Sequence, residues 1–572
     1  MQRSLWMLIL SCGLGLAAHA QSSDLYEQTS EVNNLMVQFR ADYGNLDRFY
    51  MIEASPDRMT RLQDIVKSYL GKVQELPYAQ YNTGTKVDYQ LFLRQLQSMQ
   101  FNLQKEQQEI HSVAAWFPFA DTIYQAERSR RRGTRPDAQA MALDFSRITR
   151  SIDTLKARLD SSRQTFTPAQ LRRSQAITGG LQDALKSVYE FYNGYDPLFS
   201  WWIPEPYKKL TASLEAYGKA FKEKRAAMPG QQDDGSGIVG HPIGREELIR
   251  QLQVEMIDYT PEELVDIANK EFKWCDAEML KASREMGFGD NWKAALEKVK
   301  NSYVPAGEQP EAMMKLYNES VDFLKSHDLV TIPPLAEETW RMIMMTPERQ
   351  LVNPFFTGGE EFSISYPVSG MSEADKLMSM RGNNPHFSRA TVHHELLAGH
   401  ALQEFSTNRY KTYRHFETPF WIEGWSLYWE MQLWDLKFPA SPEDRVGMLF
   451  WRMHRCARII FSLNYHLGRW TPQQCIDFLV DRVGHERANA VGEVRRSFVG
   501  GYSPLYQVAY MIGGLEFTAL KKELVDSGKM TARQYHDAVL HENMMPVEML
   551  RAILEHKDIP KDYKTNWRFY NL

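Results

Sequence analysis

The chain of 572 residues is 43% hydrophobic and 24% charged, which is the composition of a packed globular protein and excludes a disordered or fibrous one. Its 67 basic and 72 acidic residues give a net charge of -5. Because no long run of basic residues occurs, we expect no nucleic-acid partner.

The first twenty residues, MQRSLWMLILSCGLGLAAHA, contain an early arginine, an apolar run and small residues on both sides of His19. This pattern predicts a secretory signal peptide over residues 1–20, with cleavage after Ala20. The apolar run is shorter than the roughly 20 residues that a membrane span requires, and no later stretch reaches that length. A lipoprotein signal cleaved before Cys12 is the less favoured alternative. We therefore predict a periplasmic or secreted protein without a membrane span.

Three cysteines remain after the predicted cleavage: Cys275, Cys456 and Cys475. An odd number cannot form a complete disulfide framework, so packing must stabilise the fold. A single bridge between Cys456 and Cys475 is one possibility.

Most of the remaining sequence is typical of α-helices. Apolar residues recur at steps of three and four over residues 88–111 and 138–163. A Thr-Pro pair followed by Glu or Gln at the capping-box position predicts helix starts at Thr167, Thr260 and Thr471. The threonine side chain can accept a hydrogen bond from the first turn, and proline fits the first helical position. The predicted fold class is therefore mostly α.

The segment PGQQDDGSGIVGHPIG at residues 229–244 is rich in Gly, Asp and Pro and has no apolar periodicity. It predicts a loop between an N-terminal helical half, residues 21–235, and a C-terminal helical half, residues 236–572. A loop that borders an active site is the alternative. Strand patterns occur at residues 339–347 and 361–369, which predict a small sheet or β-hairpin ahead of the next motif.

Residues 391–403, TVHHELLAGHALQ, contain the His-Glu pair of a zinc-binding helix but lack its second histidine at the usual position. On a regular helix His394 and His400 would be about 120° apart and roughly 9 Å apart along the axis. They can share a metal ion only if the helix changes its winding or breaks, and the Ala-Gly pair before His400 is the favoured place. Glu395 would then act as the general base that activates water at the metal.

A third ligand is predicted in FWIEGWSLYWE, residues 420–430, because catalytic zinc sites often combine imidazole nitrogens with a carboxylate. Glu423 is the candidate, since it lies among aromatic residues where an uncompensated carboxylate would be costly; a solvated acidic stripe is the alternative. Glu430 is predicted to orient a ligand histidine. His393 is expected to pack in the interior or to contact substrate, and His386 is a weaker candidate of the same kind.

These motifs resemble a bacterial family known as domain of unknown function 885, whose members carry His-Glu-x-x-Pro-Gly-His followed by Glu-Gly-Trp-Ala-Leu-Tyr-x-Glu. This chain has HELLAGH and EGWSLYWE, with alanine in place of the proline, and the similarity extends over much of residues 241–555. The family resembles zinc peptidases with a glutamate third ligand, such as thimet oligopeptidase, angiotensin-converting enzyme and Taq-type carboxypeptidases. The resemblance implies a large helical metallopeptidase-like fold with a deep channel. It also implies zinc ligands at His394, His400 and Glu423, with Glu395 as the base.

Peptide hydrolysis also needs a hydrogen-bond donor for the oxyanion that forms at the scissile carbonyl. The stretch GGYSPLYQVAYMIGG, residues 500–514, offers Tyr502, Tyr506 and Tyr510. Tyr510 matches the Tyr-x-x-Gly pattern of the family and is the predicted donor, whereas Tyr502 and Tyr506 are expected to contact substrate. For each tyrosine, packing in the core is the alternative.

The sequence thus predicts an exported, zinc-dependent peptidase that acts on short peptides. The alternatives are a catalytically inactive peptide-binding or structural protein of the same fold, and a metal-dependent hydrolase of a non-peptide amide. Arg495 and Arg496 are candidates for holding a substrate carboxylate, although arginine on a solvated face is commoner.

Overall fold

The computed structural model describes residues 29–161, 165–228, 232–352, 355–365, 367–414 and 416–572. The predicted signal peptide, including Cys12, lies outside the described residues. The protein is 70% helical and its described part contains one two-stranded sheet, so the prediction of a mostly α fold is confirmed. None of the helices described is both long and apolar enough to cross a membrane.

The described elements, in chain order, are α1 (Asn33–Phe49), α2 (Pro56–Gln74), α3 (Thr83–Val113), α4 (Ala120–Arg131), α5 (Ala138–Ser161), α6 (Pro168–Tyr192), α7 (Pro197–Trp202), α8 (Pro204–Ala226), α9 (Arg245–Val254), α10 (Pro261–Glu285), α11 (Trp292–Lys300), α12 (Gln309–Ser326), α13 (Pro334–Thr339), β1 (Arg341–Met344), α14 (Pro347–Val352), β2 (Glu361–Ile364), α15 (Glu373–Gly382), α16 (Pro385–Glu395), α17 (His400–Thr407), α18 (Pro419–Asp435), α19 (Pro442–His466), α20 (Pro472–Phe478), α21 (Arg487–Val499), α22 (Tyr506–Lys521), α23 (Ala532–Glu542) and α24 (Val547–Leu554). Short 3-10 turns lie at Tyr78–Gln80 and Ala114–Trp116, and π-helical turns at Leu479–Val483 and Lys522–Asp526.

The helix starts predicted at Thr167, Thr260 and Thr471 are confirmed. Each threonine side chain accepts a hydrogen bond from the backbone N–H of the third helical residue, whose own side chain bonds back to the cap. Residues 232–244, the described part of the predicted loop, form neither helix nor strand, and α9 begins directly after Gly244.

The chain divides into two compact units. The larger unit comprises the described residues up to Asn33, Tyr78–Leu91 and Asp233–Leu572, and the smaller unit comprises Asn34–Pro77 and Phe92–Gln232. The last junction lies close to the sequence-predicted boundary between the two halves. Residues 78–91, in contrast, fall within the predicted N-terminal half but are part of the larger unit.

Buried polar contacts hold residues 78–91 in the larger unit. The guanidinium of Arg414 lies 2.6 Å from Oδ1 of Asp88, and both side chains are at most 2% exposed. The hydroxyl of Tyr78 donates a hydrogen bond to the carbonyl of Ile559. A charge pair excluded from water is stable only when both partners remain together, so this contact fixes the segment despite its distance along the chain.

A cluster of aromatic side chains lies within the core of the smaller unit. Trp116, Phe117, Tyr217 and Phe221 pack with ring centroids between 4.8 Å and 6.5 Å apart. These are the separations that edge-on and offset aromatic pairs prefer. None of the residues proposed from the sequence as site residues lies in this unit.

The predicted small sheet consists of β1 and β2 in the larger unit. The strands pair in parallel, with Arg341 opposite Glu361 and Met344 opposite Ile364. The hairpin alternative is therefore wrong. A parallel pair needs a crossover connection, and here the connection contains α14.

Helices α18 and α22 of the larger unit cross in close backbone contact. Helix α18 is buried on nearly all sides, which its mixture of tryptophans and aliphatic residues favours. Gly424 of α18 faces Gly513 of α22. A Cβ atom on Gly424 would lie 2.6 Å from the Cα of Gly513, and a Cβ on Gly513 would lie 2.1 Å from the carbonyl oxygen of Phe420. The two backbones can approach this closely only because both residues lack side chains.

The three cysteines of the larger unit are free and buried. The bridge considered between Cys456 and Cys475 is therefore not formed. Cys456 instead contacts Cys275, and burial raises the pKa of the Cys456 thiol well above its ordinary value. These residues act as small apolar side chains in the core.

Replacing Gly513 with alanine tests the helix crossing. We expect Gly513→Ala to lower the free energy of unfolding by about 1–3 kcal/mol, because the new methyl group overlaps backbone atoms of α18. The adjacent Gly514→Ala is the matched control: its Cβ would meet only side-chain atoms of Leu427 and Met431, at 3.3–3.4 Å. The gain of about 1 kcal/mol in helix propensity then offsets the crowding. Urea denaturation of both variants measures the difference, and equal midpoints would contradict the proposed crossing.

The capping box at Thr260 predicts a pH-dependent contribution to stability. The Arg568 guanidinium, together with the backbone N–H of Thr260, lowers the pKa of Glu263 to about 2 from 4.5. Since the folded-state pKa is depressed, the stabilisation is complete above pH 4.5 and is lost as the pH falls towards 2. We expect the difference in urea midpoint between the wild type and Glu263→Gln to shrink between pH 5 and pH 3. The capping box of Thr471 and Gln474 carries no charge and offers a control. The loss of stability caused by Gln474→Ala should not change over this pH range.

Candidate metal centre

The helix that carries His394 stops and restarts within five residues. Helix α16 ends at Glu395 and α17 begins at His400, so the predicted break before His400 is confirmed. A Cβ atom on Gly399 would lie 1.9 Å from the carbonyl oxygen of His394, so only glycine fits there. The indole N–H of Trp425 donates a hydrogen bond of 2.8 Å to the carbonyl of Ala398, which satisfies a polar group exposed by the break.

The break brings two imidazoles and one carboxylate together. His394, His400 and Glu423 each offer a ligand atom, and these atoms lie within 4.8 Å of one another. The Nε2 atoms of His394 and His400 are 3.5 Å and 3.3 Å from Oε2 of Glu423. The two imidazole planes are nearly perpendicular, at 85°. Two nitrogens and one oxygen are a ligand set that zinc accepts while leaving a fourth position open.

The environment of Glu423 fits a bound cation. Its Oε2 atom is buried and has no hydrogen-bond partner among the described residues, whereas Oε1 accepts a short hydrogen bond from the hydroxyl of Tyr506. Burial alone would raise the pKa of Glu423, but His400 and His394 hold it well below its ordinary value. The carboxylate is therefore negatively charged and almost fully buried, which is costly unless a positive charge faces it.

A second carboxylate lies behind His394. Oε1 of Glu430 lies 2.7 Å from Nδ1 of His394 and accepts a hydrogen bond from Arg455. Although burial opposes protonation, Glu423 and Glu430 raise the pKa of His394 to about 9. The contact is the one predicted for Glu430: a carboxylate on one ring nitrogen directs the other nitrogen towards a metal.

A cavity of about 450 Å³ opens beside the three candidate ligands. Glu395, His394, His400 and Glu423 all line it. The loop at Gly358 covers the first turn of the break, since a Cβ there would lie 2.1 Å from the carbonyl oxygen of Glu395. The cavity is thus bordered by the loop that precedes β2 and by the broken helix.

The three tyrosines proposed from the sequence all line this cavity. Tyr506 is engaged with Glu423, and Tyr510 lies against His394 with ring centroids 6.2 Å apart and nearly parallel. Burial and the charge of Glu423 raise the pKa of Tyr510 to about 12, although nearby arginines oppose the shift. Tyr502 is 40% exposed and stands at the edge of the cavity. Tyr506 therefore hydrogen-bonds to a candidate ligand, Glu423, whereas Tyr510 and Tyr502 line the cavity where they could contact a bound molecule.

The cavity also contains arginines that the sequence reasoning missed or left open. Arg455 and Arg458 of α19 line it, as does Arg496 of α21. Arg495, in contrast, does not line the cavity and donates a hydrogen bond to the carbonyl of Gly237. The sequence does indicate Arg455 and Arg458, because they are charged residues three apart within a long apolar segment, where a charge needs a partner or a function.

Two other histidines lie away from the candidate ligands. His393 is 0% exposed, packs edge-on against Phe438 and is not part of the cavity wall. The structure thus places His393 in the core and not at a substrate contact, because it lies on the opposite side of α16 from the cavity-lining residues. His386 pairs with Asp444, with Nδ1 2.7 Å from Oδ1, and is also remote from the centre.

Comparison with known proteins places the chain in a family without assigning an activity. None of the curated proteins matches the sequence. The fold is similar to a "putative lipoprotein of unknown function" from Shewanella oneidensis (16% identity, TM-score 0.66, 92% of this chain and 100% of the other). It is also similar to a "putative lipoprotein" from Colwellia psychrerythraea (14% identity, TM-score 0.57, 92% and 98%). Residues 43–554 match the family described as "Bacterial protein of unknown function (DUF885)". The chain therefore belongs to the DUF885 family of bacterial proteins.

Proposed function

We propose that this protein is an exported zinc-dependent peptidase that hydrolyses short peptides. The observation that carries the proposal is the buried, unpartnered Oε2 atom of Glu423, which faces the Nε2 atoms of His394 and His400 at the wall of a cavity. Export is supported by the signal-peptide pattern of residues 1–20 and by the description of the two solved relatives as lipoproteins.

The three ligands and their neighbours provide a rigid site for the ion. When bound, zinc supplies a Lewis acid and lowers the pKa of water in its open position to about 7. Glu430 fixes the orientation of the His394 imidazole, and Tyr506 fixes Oε1 of Glu423 so that Oε2 is directed at the histidines. Contacts of this kind tune both geometry and affinity at metal sites.

Glu395 moves the proton in the proposed reaction. Its side chain lines the cavity next to the ligand His394, and its backbone carbonyl is held by the N–H of Gly359 at 3.2 Å. The carboxylate accepts a proton from the attacking water and passes it to the leaving amine. The phenol of Tyr510 donates a hydrogen bond to the oxyanion that forms at the carbonyl carbon.

Metal analysis of purified protein tests the ligand set. We expect the wild type to retain about one zinc per chain after dialysis, and His394→Ala and Glu423→Ala to lose it, because each removes one of three donors. His393→Leu is the matched control: the neighbouring histidine is buried, and neither ring nitrogen has a partner among the described residues. Elemental analysis of all four proteins gives the answer. Equal metal content in the wild type and both ligand variants would show that the ligand set is wrong.

Turnover of a random tetrapeptide pool tests the role of Glu395. We expect Glu395→Gln to retain zinc and to cleave the pool about 10²- to 10⁴-fold more slowly, the range associated with loss of a general base. Glu417→Gln changes an exposed acidic residue and should leave the rate unchanged. Mass spectrometry of the pool measures the products. A wild-type protein that holds zinc and leaves every tetrapeptide intact would contradict the peptidase and favour an inactive peptide-binding protein.

A further inference from the structure

Two of the three arginines that line the cavity share a single carboxylate within ion-pair distance. Arg455 donates a hydrogen bond of 3.0 Å to Glu430, which also lies against His394, so its charge is balanced locally. Arg458 and Arg496 instead share one carboxylate, Glu493. Nε of Arg458 is 2.7 Å from Oε1 of Glu493, whereas Nη1 of Arg496 is 3.9 Å from Oε2.

The histidines next to Glu493 do not change this balance. His454 and His485 are buried and lie 2.7 Å from each other through ring nitrogens. Burial lowers the pKa of His485 to about 3 and the pKa of His454 well below its ordinary value, so both rings are neutral. Among the described residues, the two guanidinium groups thus have one negatively charged partner, Glu493, within ion-pair distance.

The guanidinium groups also have unused hydrogen-bond donors. Nη1 of Arg458 and Nε of Arg496 are buried without a partner among the described residues. The Arg458 side chain is only 3% exposed, whereas that of Arg496 is 18% exposed and so is the more accessible of the two from the cavity. Buried donors of a charged group are expensive to leave unpaired, and the expected partner is an anion that enters with a ligand.

Arg496 is connected to the candidate metal centre by a short row of aromatic rings. Its guanidinium lies 4.7 Å from the ring centroid of Tyr502. The Tyr502 and Tyr506 centroids are 4.5 Å apart, and the hydroxyl of Tyr506 bonds to Glu423. A cavity of about 450 Å³ that holds both features is of the size that accommodates a small ligand. An anionic group bound by Arg496 thus lies within a few peptide residues of the centre.

We propose that Arg496, with Arg458 beside it, binds the C-terminal carboxylate of the peptide substrate, so that the enzyme releases short fragments from free C-termini. This inference rests on the proposed peptidase function. A guanidinium fork matches a carboxylate in shape and charge and can form two parallel hydrogen bonds with it. The terminal carboxylate is the one anionic group that every unmodified peptide carries, whereas an Asp or Glu side chain would provide the same chemistry only in acidic peptides.

Three tetrapeptide pools separate these sources of a carboxylate: free acids without Asp or Glu, the same peptides as C-terminal amides, and amides with Glu at the last position. We expect the wild-type holoenzyme to cleave the free acids with a kcat/KM about 10- to 100-fold higher than either amide pool, the factor expected for one hydrogen-bonded ion pair. Arg496→Gln should lower kcat/KM for the free acids to the level of the amides and leave the amide rates unchanged. Its zinc content should equal that of the wild type.

The neighbouring arginine provides the matched control. Arg495→Gln removes the same charge from the same helix but outside the cavity, so it should retain the preference for free acids. Arg496→Lys, which keeps the charge without the fork, should fall between the wild type and Arg496→Gln, and it tests the inference if the glutamine variant fails to fold.

Three other results would each contradict a specific part of the proposal. Equal cleavage of free acids and amides by the wild type overturns the carboxylate site and leaves the peptidase function standing. Cleavage of the Glu-containing amides as fast as the free acids overturns the assignment to the terminal carboxylate. A wild type that cleaves none of the pools overturns the peptidase function and this inference together.

Discussion

The contact between Gly399 and the carbonyl of His394 determines the geometry of the whole centre. The chain can turn back on the end of α16 only because no Cβ stands between these atoms. His400 therefore begins a new helix beside His394 and does not continue the old one, in which the two rings would diverge. The break exposes backbone polar groups in the interior, and Trp425 and Gly359 donate hydrogen bonds to two of its carbonyls. A local irregularity is thus stabilised by the elements packed around it.

The third candidate ligand depends on a second glycine contact, at the crossing of α18 and α22. With Gly424 against Gly513, the first turns of the two helices lie close enough for the hydroxyl of Tyr506 to reach Glu423. A wider separation would remove the hydrogen bond that holds Oε1 and would free the carboxylate to rotate. Two backbone approaches that only glycine permits, one within the broken helix and one between helices, therefore place all three ligand atoms.

The sequence predicts those parts of the centre whose chemistry is local. The six-residue spacing of His394 and His400 is incompatible with a regular helix, and the adjacent glycine indicates where the break occurs. Glu423 is predictable because a carboxylate amid tryptophans must have a partner. The joint role of Arg458 and Arg496 is not predictable from the sequence, because it follows from their sharing Glu493, and that depends on how α19 and α21 pack. The Asp88–Arg414 pair and the parallel pairing of the strands likewise arise from contacts between distant segments.

The buried charges of the larger unit are arranged in a way that stability alone does not explain. A hydrophobic core of the same volume would avoid the desolvation of Glu423, Glu430 and Glu493 and of the arginines that face them. Oε1 of Glu430 lies against both His394 and Arg455, as expected for a structural pair. Glu423 retains an unpartnered oxygen, and the guanidiniums near Glu493 retain unpartnered donors. The unsatisfied groups are thus of opposite sign and line the same cavity, which is the arrangement required to bind a cation at one place and an anion at another.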